Sequence, residues 1–146
     1  MTRRLLGWVS LSVTVVVAGC GGPSDLSQTP KYASVIGAEY RTKAELYAHG
    51  VYGSISNKQL SSIWIAPVEQ TGPEIAFRRI VRKGQALRVI AVRKRFAPLD
   101  NGLQFVVTMD GLDLPTGVPI VVPLSGYMQS DDGFLDQRYF ERGPAQ

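Results

Sequence analysis

One cysteine and one histidine are all that this 146-residue chain holds of two residue types on which much protein chemistry depends. Cys20 has no second thiol to pair with, so the chain forms no internal disulfide. His49 sits far along the chain from it, and the two together cannot supply the three or four ligands of a zinc site. A nucleophilic cysteine needs a base and a pocket, which a Gly-rich stretch after an apolar run does not offer. A core cysteine fails as well, because Cys20 precedes every segment able to build a core. There is no strand-elbow serine motif, no phosphate-binding glycine loop and no paired metal-ligand spacing. Repeats and low-complexity segments are also missing. These absences point away from an enzyme and away from any cofactor or metal.

What surrounds Cys20 is informative. Arg3 and Arg4 make a short basic start, and Leu5 to Val17 is apolar apart from Gly7, Ser10, Ser12 and Thr14. Ala18 and Gly19 follow. A basic start, a short apolar run and small residues are the three parts of a secretory signal peptide. The run falls short of the roughly 20 apolar residues of a spanning helix. Val17-Ala18-Gly19-Cys20 resembles the lipobox of bacterial lipoproteins, with Val where Leu is commoner. The resemblance implies removal of residues 1–19 and acylation of Cys20. Several chains on one cysteine give stable attachment, where a single chain binds a bilayer only marginally. Gly21, rather than Asp, after the cysteine implies the outer membrane of a Gram-negative envelope with the domain facing the periplasm. The inner membrane and the cell surface are the alternatives.

Residues 20–35 read as a flexible tether, since GGPSDLSQTPKYAS is rich in Gly, Pro and Ser and has no apolar period. A random coil of that length would hold a domain roughly 20 Å from the lipid. Residues 36–142 then form one domain and 143–146 a tail. A chain of this size buries enough surface to fold without disulfides.

The domain is expected to be all-β, a small barrel or sandwich. Tyr40, Thr42, Ala44, Leu46 and Ala48 alternate with polar residues and predict one half-buried strand. A short strand is expected at 63–66 and another at 75–81, ending at a Lys83-Gly84 turn. Residues 86–96 predict a long central strand, with Leu87, Val89 and Ala91 on one face and Ile90, Val92 and Phe96 on the other. A turn at Pro98 to Gly102 leads into Leu103, Phe105, Val107 and Met109, which alternate again. Pro119 and Pro123 assign 118–124 to an edge or bulged strand. Residues 134–142 form a short helix or strand. The segment GPEIAFRRIVRKGQALRVIAV resembles part of bacterial SH3-like domains: Gly72-Pro73, a strand, a turn at Gly84 and a second strand over 87–92. The resemblance implies an SH3-like hairpin.

Charge is unevenly distributed. Between Arg78 and Arg95 lie eight basic residues and no acid: Arg78, Arg79, Arg82, Lys83, Arg88, Arg93, Lys94 and Arg95. Seven acids fall between Asp100 and Glu141. A 75–96 hairpin would crowd the cations into one patch that attracts an anionic partner. The competing reading is a solvated face balanced by the acidic third. Nucleic acid is disfavoured by the exported location and by the lack of interleaved exposed aromatics. An anionic envelope polymer, lipid phosphates or an acidic envelope protein fit better.

Other candidates weigh less. Asp131-Asp132 beside Gly133, and Asp110 and Asp113 around Gly111, are turn chemistry before they are catalytic carboxylates. His49 reads as a polar strand residue. Tyr40, Tyr47 and Tyr52 would stack on sugars if they were exposed together. The chain is therefore expected to be a membrane-anchored, non-enzymatic binding or structural accessory module of the bacterial envelope. The alternative is an inhibitor or immunity-type lipoprotein that inserts Phe134, on the QSDDGFLD loop at 129–136, into a target enzyme.

Overall fold

Alternating apolar and polar side chains make strands, because successive residues point to opposite faces of a sheet. The computed structural model describes residues 23–95, 102–124, 128 and 134–143. Cys20 and its leader, Phe96, Tyr127, the 98–101 part of the expected turn and Asp131-Asp132-Gly133 lie outside the described residues. The fold is all-β. Among the described residues nine strands form one sheet: β1 (Ser24–Asp25), β2 (Glu39–Thr42), β3 (Leu46–Ser54), β4 (Gln59–Ala66), β5 (Ile75–Val81), β6 (Ala86–Lys94), β7 (Leu103–Met109), β8 (Ile120–Pro123) and β9 (Phe140–Arg142). Their order is β5-β3-β4-β8-β7-β6-β2-β9, with β1 beside β6.

The ends of that order are tied together by one bent ribbon. The single strand expected over 40–49 is two strands, β2 and β3, with a bend at 43–45. Likewise β5 and β6 meet at a bend, 82–85, and do not pair with each other as a hairpin. Glu39 opposes Arg88 and Arg41 opposes Ala86 on one side of the bends. Leu46 opposes Val81 and Gly50 opposes Phe77 on the other, in the same register. Thr42 holds the corner. Its N–H donates to the Gln85 carbonyl at 3.0 Å, and its carbonyl accepts from Gly84 N–H at 2.7 Å. The sheet thus folds back on itself around one core.

Leu46, Ile63, Ile65, Val81, Val89, Phe105 and Val122 fill that core from the inner face, with Phe140 of β9 closing one end. Leu103, Phe105 and Val107 of β7 are buried as their alternation predicts. In β6 the expected faces differ, because Ile90 is a bulge between Val89, opposite Val107, and Ala91, opposite Val106. One extra residue shifts the period, so Leu87, Val89 and Val92 all point inward and Ile90 is 48% exposed.

β8 is not an edge strand. It runs parallel to β4 and antiparallel to β7, between them. Its prolines are tolerated because Pro119 precedes the strand, where its carbonyl accepts from Ile63 N–H at 2.9 Å, and Pro123 ends it.

The expected tether also differs. Ser24 pairs with Lys94 and Asp25 with Arg93. The 26–37 segment then leaves the sheet, makes a single 3-10 turn at Pro30–Tyr32, and returns where Gly37 N–H donates to the Val89 carbonyl at 2.8 Å. Val35 is buried, and Tyr32, 6% exposed, packs edge-on against Phe105 with centroids 6.2 Å apart. Its Gly, Pro and Ser content concealed a plug of apolar side chains.

Candidate functional surface

The predicted cations are split by the topology. β5 lies at one end of the sheet and β6 in its other half, so no hairpin gathers all eight. Arg78 and Arg79 on β5, and Arg82 and Lys83 at its bend, are near neighbours in the chain and exposed. Arg78 forms an ion pair with Glu69. The Arg79 guanidinium lies over the Phe77 ring, 5.6 Å from its centroid, and donates to the Arg78 carbonyl at 3.2 Å. Arg88 pairs instead with Glu39 across β2 and β6. Arg93 and Lys94 stand opposite Asp25 and Ser24 of β1. Arg95 covers Trp64, with 5.3 Å from its guanidinium carbon to the ring centroid. These exposed ion pairs add little stability. The larger consequence is two separate basic groups, one along β5 and its bend and one at the end of β6.

On the outer face a register row crosses six strands: Arg78, His49, Trp64, Val121, Val106 and Ala91. His49, expected as a polar surface residue, is wholly buried there. The 67–72 loop supplies the contact, since Gln70 N–H donates to Nε2 at 2.9 Å. A nitrogen that accepts carries no proton, so the neutral ring is protonated at Nδ1, which has no hydrogen-bond partner among the described residues. Burial holds the His49 pKa below the ordinary histidine range, and the Arg78 charge adds to this, while the Trp64 backbone and Glu69 act in the opposite direction. Alternation alone could not reveal this burial, because the covering loop comes from another part of the chain.

The aromatic set does not form a sugar platform. Tyr40 is buried in the core, and Tyr47 and Tyr52 are half-buried on opposite faces of β3. Phe134, the residue expected to insert into a target, packs edge-on against Tyr32 with centroids 6.2 Å apart. Asp136 is buried and accepts from Arg138 Nε at 2.8 Å and Nη2 at 2.5 Å. Those bonds hold the Asp136 carboxyl below its ordinary range. Asp110 and Asp113 flank Gly111, whose φ of 76° marks a turn.

Of the open clefts at the described residues, two border side chains discussed above. One of about 820 Å³ lies between the outer face of β6 and β7, at Ile90 and Val106, and Leu112 and Leu114 of the following loop. The other, of about 480 Å³, lies beside Tyr40, Lys43 and Phe140. Among the described residues no three His, Cys, Asp or Glu side chains gather as metal ligands. No helix among them is long and apolar enough to cross a membrane. Comparisons with protein-family models, with curated proteins and with solved structures find no match to this chain.

Proposed function

We propose that this chain is a bacterial envelope lipoprotein, anchored through acylated Cys20, whose small β body serves as a non-enzymatic binding or structural accessory module for an anionic partner. The anchor rests on the lipobox-like VAGC at 17–20 and the basic and apolar segments before it. The partner reading rests on one observation: Arg78, Arg79, Arg82 and Lys83 stand exposed along β5 and its bend, Arg78 and Arg79 on opposite faces of the strand. A group of one sign steers an oppositely charged surface toward it.

The docked N-terminal segment sharpens the geometry of the anchor. β1 begins at Ser24, four residues after Cys20, so the span between lipid and sheet is at most about 14 Å. Arg93 and Lys94, beside β1, then lie toward the phosphates of the bilayer, leaving the β5 group for a partner.

Two measurements test the reading. Cells grown with labelled palmitate are expected to label the wild-type chain and not Cys20→Ser. Poly-glutamate is expected to bind the full chain, to weaken as salt rises, and to bind Arg78→Glu with Arg82→Glu far less. Equal binding by wild type and the double variant would reduce the β5 group to a solvated face.

A further inference from the structure

The β5 edge has open backbone as well as charge. β5 bonds to β3 on one side and to no strand on the other among the described residues. Which of its amides face outward follows from the ladder. Ile63 N–H bonds to Pro119, across β8, so Ile63 turns its backbone away from β3. Antiparallel pairs alternate between bonded and non-bonded. Gly50, opposite Ile63, therefore bonds toward β5, as do Ala48 and Leu46. Beyond Gly50 the register shifts by one residue, with Val51 opposite Ile75 and Tyr52 N–H donating to the Glu74 carbonyl at 2.9 Å, so the alternation ends in a bulge at Ala76. Phe77, Arg79 and Val81 are thus used by β3, and Arg78 and Ile80 direct N–H and C=O outward. Within the described fold the Arg78 carbonyl meets only the Arg79 guanidinium, at 3.2 Å.

An open edge invites pairing, and proteins commonly guard one with charge. The charged residues of β5 itself are both arginines, and of these Arg78 already pairs with Glu69 of the 67–72 loop. A second copy of β5 would set arginines against arginines, which is unfavourable between opposed strands. An acidic strand meets no such repulsion. The edge also carries what a purely defensive edge would lack: Ile80 is 53% exposed on one face, and Phe77 is half-buried on the other. By contrast β9, the other end of the sheet, has three residues, and Phe140 is buried.

We infer that β5 accepts an extended acidic segment of a partner protein as an added strand. The inference rests on the anionic-partner reading above and names the partner's form. Opposite Ile80, Arg79, Arg78 and Phe77 the segment presents an apolar residue, two acids and an apolar residue. Backbone bonds to Arg78 and Ile80 supply affinity, and these four side chains supply selectivity.

The test uses the full chain and the blocked hexapeptide Thr-Val-Glu-Glu-Val-Thr, whose symmetric pattern suits either strand direction. Titration is expected to saturate and to slow exchange of the Arg78 and Ile80 amides by at least about tenfold. An added strand uses alternate amides, so methylating one alternate set of peptide nitrogens abolishes binding and methylating the other leaves it intact. Ile80→Pro removes an outward N–H and no internal bond, and is expected to weaken binding at least about tenfold with the melting temperature kept. Should that variant fail to fold, the two methylated peptides decide. No saturable binding, or equal loss from both methylation patterns, overturns strand addition. Poly-glutamate binding that still depends on Arg78 and Arg82 would then leave the broader reading standing, and its absence would end both.

Discussion

Thr42 and Gln85 exchange two hydrogen bonds at the place where the sheet turns its corner: Thr42 N–H donates to the Gln85 carbonyl, and Gln85 N–H donates to Thr42 Oγ1, each at 3.0 Å. The same hydroxyl donates to the Arg82 carbonyl at 2.7 Å. One buried threonine thus satisfies the backbone of the 82–85 bend from the end of the strand that leads into the 43–45 bend. Thr42→Val keeps the shape and loses the hydroxyl, leaving Gln85 N–H and the Arg82 carbonyl only their longer bond to each other, at 3.3 Å. A loss of about 1–3 kcal/mol is expected. Thr42→Ser keeps the hydroxyl and drops one methyl, which costs about 0.8 kcal/mol. Urea denaturation of the three proteins gives the ranking, and a valine variant as stable as the serine one would contradict this role.

Gly50 has a different constraint. A Cβ built there would overlap Cε1 and Cδ1 of the Phe77 ring on the opposing strand. The ring packs directly on the glycine backbone, as cross-strand aromatics do where no side chain intervenes. Gly50→Ala is expected to cost about 1–3 kcal/mol through overpacking. Phe77→Ala removes the clash, so the double variant should be more stable than the two single losses predict. A double-mutant cycle in denaturant reads this coupling, and simple additivity would show that the ring swings away freely.

His49 links stability to pH. Its folded pKa is depressed by burial and by Arg78, opposed in part by the Trp64 backbone and Glu69, and the Tyr47 ring lies 6.1 Å away. The unfolded chain titrates near the ordinary value of about 6.5. Below that pH the unfolded chain takes up a proton that the folded chain refuses. The His49 contribution is therefore complete above about pH 6.5 and declines as pH falls toward the folded value. Protonation would also set Nε2–H against the Gln70 N–H, loosening the 67–72 loop. His49→Gln can accept the same bond and does not titrate. Denaturation midpoints from pH 7.5 to 4.5 should fall more steeply for wild type than for this variant.

Much of the fold was legible where side chains alternate without interruption. Leu103 to Met109 is the clearest case, since its pattern and its burial agree almost residue by residue. The corner was not legible. Residues 43–45 and 82–85 read as a continuation and a turn, because a bend preserving register on both sides leaves no mark in either segment alone. Ile90 shows a similar limit: one bulged residue reverses the faces of everything after it, and only the partner strand reveals it. For the candidate surface, the sequence marked the cations but not their separation, which depends on β5 and β6 taking different neighbours. The open backbone at Arg78 and Ile80 is a property of pairing and has no signature in composition.

Tyr32 distinguishes a docked segment from a tether. Its ring lies between Phe105 and Phe134, at 6.2 Å from each centroid, and Lys31 Nζ sits 5.4 Å from its own centroid. Were residues 20–35 a flexible leader, Tyr32→Ala would leave stability unchanged, since a mobile side chain contributes nothing to the folded state. In the docked arrangement the substitution empties a buried aromatic site and costs about 3–5 kcal/mol. Exposed Gln28, in the same segment, serves as the control, and Gln28→Ala should fall within about 0.5 kcal/mol of wild type. Thermal melts of the three proteins separate the cases. Tyr32→Ala matching Gln28→Ala would return the segment to a tether and lengthen the span between Cys20 and the sheet.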